Sequence, residues 1–206
     1  MITMVAFNMD STLIKNRNSW NSVMNALSRN PYFNINYNFN YLYSNLNNKI
    51  NINMDNFELN DIIINSFNYE EVHEGIDDTV SLLHENGIKA IIITTGVKQY
   101  AELLSKQYRF DGYVGNEIKS IGGRIKFIQN VDPLKKGLML NKMRMRLGYK
   151  KNNVISIGSS IMDLSMKSSS GKFIAFNPDS NDIKRYADVV IESDNVYDIF
   201  NRKIIA

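Results

Sequence analysis

Four short stretches of this sequence place polar, chemically capable side chains directly after an apolar run or at a helix start. Met4-Val5-Ala6-Phe7 gives way to Asn8-Met9-Asp10-Ser11-Thr12-Leu13. Ile88-Lys89-Ala90-Ile91-Ile92-Ile93 gives way to Thr94-Thr95-Gly96. Leu134-Lys135-Lys136-Gly137 opens a helical pattern, and Asn153-Val154-Ile155-Ser156-Ile157 runs into Gly158-Ser159-Ser160-Ile161-Met162-Asp163. In a parallel α/β sheet, ligands bind just outside the carboxyl ends of the strands, so these residues would line one site. Gly96, at a helix N-terminus, would let a backbone N–H approach an anion. Each stretch also has a plainer reading. Asp10-Ser11-Thr12 suits a strand-ending turn, Thr94-Thr95 suits the N-cap of the following helix, and most lysines are solvated surface charges.

The elements that must position these residues are legible from periodicity. Val5 to Phe7 reads as a buried strand that ends abruptly in polar residues. From Ser19 to Leu27 the pattern predicts a helix capped by Ser19, with Trp20, Val23, Met24 and Leu27 on one face and Pro31 as its stop. The aromatic, Asn-rich segment from Tyr32 to Asn48 has no clean period and suits a packed helical cap with a polar face. Asp61-Ile62-Ile63-Ile64 begins the return to the core. Ile76, Val80, Leu83 and His84 fall at helical spacing, and Gly87 ends that helix. The apolar run 88–93 predicts a parallel-type strand, followed by a helix over 97–107 and a short strand at 112–114. Alternation around Gly122-Gly123, from Glu117 to Phe127, signals a β-hairpin. A helix over 134–147, a strand over 153–157, a helix through Met166, strands at 172–176 and 188–191, and a last helix carrying Val196, Ile199 and Phe200 complete the pattern. Such alternation predicts a doubly wound α/β sheet covered on both faces.

The bulk numbers set wide limits. A chain of 206 residues suits one core domain plus a modest insertion. Hydrophobic residues make up 44%, enough for a proper core, and the formal net charge is only +3. Its basic residues are scattered rather than gathered in a stripe, which argues against nucleic acid. With no Cys, disulfides and thiolate metal sites are excluded. The apolar run that stops at Asn8 is too short for a signal peptide, and no segment nears the ~18 apolar residues of a membrane span. The expectation is a cytoplasmic protein without a membrane partner.

The four stretches, in their order, resemble the motifs of the haloacid dehalogenase (HAD) superfamily, most closely its phosphoserine-phosphatase-like branch. The resemblance covers the core well and the cap poorly. It implies a HAD core over residues 1–14 and 73–206, with a mostly helical cap, 15–72, inserted after the first strand, and a small β-hairpin. In the family's first motif, Asp-x-Asp-x-Thr, the first Asp attacks phosphorus and forms an aspartyl-phosphate. Asn8 stands there. Asp10 matches the general acid that protonates the leaving alkoxide, and its backbone carbonyl matches a metal ligand. Thr95 matches the hydroxyl that donates to a phosphate oxygen, with Gly96 beside it. Lys136 matches the lysine that neutralises phosphate and transition-state charge; Lys135 is adjacent, and the following Gly137 favours Lys136. The fourth motif, Gly-Asp-x-x-x-Asp, reads Gly158-Ser159-Ser160-Ile161-Met162-Asp163.

Two departures bear on activity. Asn8 is a poor nucleophile of nearly the same size as Asp, and Ser159 stands where the family has a Mg²⁺-ligating Asp. The metal set implied by the family, Asn8, Asp10, Ser159 and Asp163, thereby loses both directly ligating carboxylates, so Mg²⁺ binding is expected to be weak or absent. Losing two negative charges beside an incoming anion also relieves repulsion. Arg17 stands where phosphoserine phosphatases carry the Glu that holds the substrate amine, and the chain has no Arg between Arg29 and Arg109. Both features argue against phosphoserine as substrate. His73 and His84 lack ligand-spaced partners and read as structural. Three functions follow: a HAD-fold protein that binds a phosphorylated small molecule with catalysis impaired or lost, a phosphomonoesterase seen as a nucleophile-to-Asn variant, or an interaction module that meets a protein partner through the aromatic cap.

Overall fold

β1 (Met4–Phe7) is buried along its whole length, and the sheet is built outward from it. The computed structural model describes residues 1–29, 50–51 and 54–201; the Tyr32-to-Asn48 cap segment and Pro31 lie outside them. β1 pairs in parallel with β3 (Lys89–Val97) on one side and β6 (Val154–Gly158) on the other. The chain runs from β3 to β4 (Gly112–Ser120) in one direction, and from β6 through β7 (Lys172–Phe176) to β8 (Val189–Ile191) in the other. Two further strands, β5 (Arg124–Ile128) and β2 (Ile50–Asn51), add antiparallel at the β4 edge. The order is β2-β5-β4-β3-β1-β6-β7-β8. Strand order reverses at β1, so the carboxyl ends of β1, β3 and β6 form the crevice where such sheets hold ligands.

Side-chain alternation divides the core into two layers. Val5 and Phe7 face one layer with Ile92, Ile155 and Ile157. Met4 and Ala6 face the other with Ile91, Ile93 and Val154. The first layer is covered by α1 (Ser19–Ser28), α2 (Asn56–Asn65), α3 (Ile76–Glu85) and α4 (Lys98–Tyr108), which present Trp20, Leu59, Val80 and Leu104. Leu140 of α5 (Lys136–Arg146) and Met166 of the 3₁₀ helix Asp163–Ser169 cover the second. α6 (Asn181–Tyr186) adds Ile183 to that layer, and α7 (Asp198–Asn201) adds Ile199 to the first. The expected doubly wound α/β architecture is thus present, with helices on both faces.

Local signals hold with informative shifts. The hairpin turns at Gly122 and Gly123, whose φ values of 60° and 69° suit the turn that matches strand twist. Gly87, at φ 69°, ends α3, with Ile88 N–H donating to Leu83 O. The predicted short strand at 112–114 instead continues through Ser120 and forms one arm of the hairpin. Asp61-Ile62-Ile63-Ile64 is the second half of α2, which Asp55 and Glu58 start with a reciprocal capping box. His84 points to solvent rather than continuing the buried stripe of α3, and its Nε2 lies 2.9 Å from Asp111 Oδ2. His73 is buried, with Nδ1 3.2 Å from Asp194 O, and desolvation lowers its pKa.

Candidate functional site

The register places three of the four polar stretches together before any side chain is considered, and the start of α5 brings Lys136 to them. Phe7 is level with Ile92 and Ile157, so the residues after these strands emerge on one edge. They line a cavity of about 400 Å³ with Asn8, Asp10, Thr95, Gly96, Lys136, Ser159 and Ser160 in its wall. Arg17, Asn18, Trp20, Asn116, Pro133, Met162 and Asp179 complete much of it. Of the sequence-derived site residues, Asp163 alone does not line the cavity. It lies directly behind Lys136.

Lys136 and Asp163 form the buried centre of the site, 2% and 0% exposed. Lys136 Nζ donates to Asn8 Oδ1 at 2.8 Å and to Asp163 Oδ1. Asp163 Oδ2 accepts from Ser159 N, Ser160 N and Ser160 Oγ at 2.9, 3.0 and 3.0 Å. A buried ion pair recovers its desolvation cost only when its remaining hydrogen-bonding positions find partners, and those of the Asp163 carboxylate do. Glycines make the approach possible. A Cβ on Gly158 would stand 2.3 Å from Asp163 Cβ, and one on Gly137 would stand 2.1 Å from Ser165 O. Lys136, rather than the exposed Lys135, is therefore the cation of the site.

Asn8 and Ser159 converge on one atom. Asn8 Nδ2 donates to the backbone oxygen of Asp10 at 2.7 Å, and Ser159 Oγ donates to the same oxygen at 3.3 Å. Asn8 thus spans the site, accepting from Lys136 on one side and donating to the Asp10 backbone on the other. The turn behind it is strained. Ser11 has φ 59°, held by Ser11 N–H to Asn16 O at 2.9 Å and Thr12 N–H to Met9 O at 3.0 Å.

The Asp10 carboxyl is aimed at α1. Its Oδ2 accepts from Ser19 N and Ser19 Oγ at 3.2 and 3.1 Å, while the buried Oδ1 has no hydrogen-bond partner. Burial raises its pKa to about 6, against the opposing hydrogen bonds from Ser19 and the charge of Lys136. Ser19 is committed elsewhere too, since Oγ accepts Val97 N–H at 3.0 Å. The helix cap is consequently Asn18, whose side chain accepts Trp20 N–H at 3.1 Å, and the predicted Ser19 cap is corrected by one residue. The buried face of Trp20, Val23, Met24 and Leu27 is as predicted.

At the end of β3 the ladder to β4 shifts register between Ile93 and Val97, as strands often do beside a functional site. Thr95 O accepts from Trp20 Nε1 and Asn116 Nδ2, both at 3.1 Å. Gly96 N–H donates to Thr94 Oγ1 at 2.9 Å, so the donor expected to face an anion is turned to its neighbour here. What requires glycine at 96 is the Asp10 carboxyl. A Cβ there would meet Ser19 Oγ at 2.5 Å and Asp10 Oδ2 at 2.7 Å. Gly96→Ala is expected to cost about 1–3 kcal/mol by overpacking, read as a fall in calorimetric Tm of about 2–10 °C. An unchanged Tm would show that Ser19 and Asp10 can separate freely.

Magnesium asks for near-octahedral oxygen ligation with carboxylate help. Here Asp10 O already accepts from an amide and a hydroxyl, Asn8 and Ser159 bring no carboxylate beside it, and both oxygens of Asp163 are engaged. These residues do not fit the ion. Among the described residues no group of three or more His, Cys, Asp or Glu is gathered that could hold a metal.

A doubly wound sheet with polar residues at the ends of β1, β3 and β6 around a buried lysine defines an α/β fold with a ligand site at its strand ends. The sequence pattern of the haloacid dehalogenase-like hydrolases matches residues 21–199, and the chain belongs to that family. The matched stretch begins after the Asn8-to-Thr12 motif. A phosphoserine phosphatase of Archaeoglobus fulgidus is 28% identical over 127 residues, 60% of this chain. The alignment spans 36% of that relative's length. Among solved structures, a phospho-aspartyl intermediate analogue of phosphoserine phosphatase has a TM-score of 0.74 at 18% identity, over 98% of each chain. A substrate-bound phosphoserine phosphatase gives 0.77 with the same identity and coverage. A phosphoserine phosphohydrolase-like protein from Francisella tularensis gives 0.67 at 18% identity over 100% of both chains. The protein is thus a haloacid dehalogenase-like, phosphatase-fold chain with phosphoserine phosphatase relatives. No described helix is long and apolar enough to cross a membrane.

Proposed function

We propose that this chain holds a phosphorylated small molecule in the strand-end cavity without a metal ion, and hydrolyses it slowly or not at all. The observation that carries the reading is the pair of donors, Asn8 Nδ2 and Ser159 Oγ, both resting on Asp10 O. An N–H and an O–H there supply the positive ends of dipoles where the family would place a cation and its carboxylates.

The anion's partners are then protein groups. A lysine ammonium has three N–H donors, and Lys136 uses two on Asn8 and Asp163. The third is left for a phosphate oxygen, with the Thr95 hydroxyl a second donor in the same wall. Asp10, whose pKa burial raises to about 6, is the carboxyl in the same wall that could pass a proton to a leaving oxygen. Asn8 offers phosphorus only an amide oxygen, already bound to Lys136. Catalysis is impaired because attack and metal ligation are both missing.

The division into a core, 1–14 and 73–206, and a cap, 15–72, belongs to this proposal, as does a cytoplasmic location. α1 meets the core directly, through Ser19 on Asp10 and Trp20 on Thr95, and β2 extends the core sheet beside β5. Of the cap's described residues, Arg17, Asn18 and Trp20 border the cavity.

Calorimetric titration with inorganic phosphate tests the reading. Wild type is expected to bind phosphate equally well in chelator and in Mg²⁺. Lys136→Gln and Thr95→Val should each weaken binding by about tenfold or more, the size of one lost charge-assisted hydrogen bond. Binding that requires Mg²⁺, or affinity unchanged in both variants, would overturn it. Thr95→Val removes a single hydroxyl from a half-buried side chain, so it keeps the test decisive if Lys136→Gln is unstable.

A further inference from the structure

The cavity contains a second cation that the buried network does not use. Arg17 lies on the same wall as Asn18 and Trp20. Its backbone position is fixed by its neighbour. Asn16 O accepts Ser11 N–H at 2.9 Å, Asn16 Oδ1 accepts Asn18 N–H at 2.9 Å, and Asn16 Nδ2 donates to Ser22 Oγ at 2.9 Å. A braced loop thus presents an arginine at the cavity, whereas the arginine itself is exposed. Among the described residues it forms no ion pair, unlike Lys136, which Asp163 neutralises.

Besides Asp10, the lining carries one further carboxylate, Asp179. Asp179 is tied to the fourth stretch by its backbone N–H, which donates to Ser159 O at 2.9 Å. Its carboxylate repels a second anionic group placed near Ser159. Arg17 is therefore the end of the cavity where additional negative charge is favoured. A guanidinium presents a planar fork of donors that matches a carboxylate or phosphate in bidentate fashion.

We propose that the ligand of this site is a phosphomonoester carrying a second anionic group, received by Arg17 while the phosphate is held by Lys136. The proposal rests on the phosphate-binding reading above. It deepens that reading by naming the class of ligand, a small molecule with two separated anionic ends.

Matched pairs of phosphate esters differing by one carboxylate test it by titration calorimetry at fixed ionic strength. 3-Phosphoglycerate is compared with glycerol 3-phosphate, and phosphoglycolate with ethyl phosphate. In wild type the carboxylate member of at least one pair should bind about tenfold tighter or better. In Arg17→Ala that ratio should fall to near one, with inorganic phosphate binding unchanged. Arg17→Lys should keep part of the preference, since it retains charge without the fork. Equal affinity within both pairs in wild type would overturn the proposal, as would a preference that survives Arg17→Ala. Either outcome leaves the phosphate site standing if inorganic phosphate still binds. Failure of inorganic phosphate to bind at all would remove both readings together.

Discussion

Asp163→Ala is expected to lower stability by about 3–5 kcal/mol, the range for stripping one partner from a buried ion pair. For a chain of this size the calorimetric Tm should fall by about 6–20 °C. The reasoning is one of satisfaction rather than attraction. Asp163 is fully buried and its oxygens accept from Lys136, from two backbone N–H groups and from the Ser160 hydroxyl. Removing it leaves the Lys136 charge with Asn8 Oδ1 as its remaining protein partner, and leaves two loop N–H groups without an acceptor. The double variant Asp163→Ala with Lys136→Met separates these contributions. It removes the orphaned charge but not the orphaned N–H groups, so it should be more stable than the single variant yet less stable than wild type. A loss below about 1 kcal/mol for Asp163→Ala, the size expected of a solvent-exposed pair, would show that water reaches Lys136 readily.

Which parts of this site are legible in sequence follows from how local each determinant is. The start of β3 and the whole of β6 are legible because Gly87 and Gly158 punctuate the apolar runs, whereas β3 continues past the apolar run, through Gly96, to Val97. The buried face of α1 is legible because Trp20, Val23, Met24 and Leu27 follow helical spacing. Ser19 is not. It stands where an N-cap belongs, but Asp10 and Val97 N–H, the latter 78 positions along the chain, recruit its hydroxyl, and Asn18 takes the cap. Gly96 is misread for a related reason. Its neighbours suggest an anion at a helix start, whereas its N–H is bound to Thr94 and its missing Cβ makes room for Asp10. Asn116 and Asp179 carry no motif, and they reach the cavity only through β4 and the turn after β7. Asn8 and Ser159 are visible in the sequence as departures from the pattern the resemblance implies, but their shared contact on Asp10 O is a property of the folded sheet.

That shared contact predicts how activity would return. Asn8→Asp alone restores a carboxylate but removes the N–H that Asp10 O accepts at 2.7 Å, setting two oxygens face to face with Ser159 Oγ as the donor left. Ser159→Asp alone restores a ligand-type oxygen but leaves an amide where a nucleophile is needed. Each single variant, assayed with Mg²⁺ and an activated aryl phosphate, is therefore expected to stay close to the negligible rate proposed for wild type. Together they place two carboxylates beside one backbone carbonyl, where a divalent ion would offset their charge. The double variant is expected to exceed the product of the single effects by about 100-fold or more, because residues that act as a unit are not additive. Mg²⁺ titration should run in parallel, with measurable binding in the double variant and much weaker binding in wild type. Full activity from Asn8→Asp alone would refute this reading and make the chain a phosphatase arrested by one substitution. A wild-type rate on the order of 1 s⁻¹, ordinary for an enzyme, that Asp10→Ala abolishes would refute the impaired reading outright.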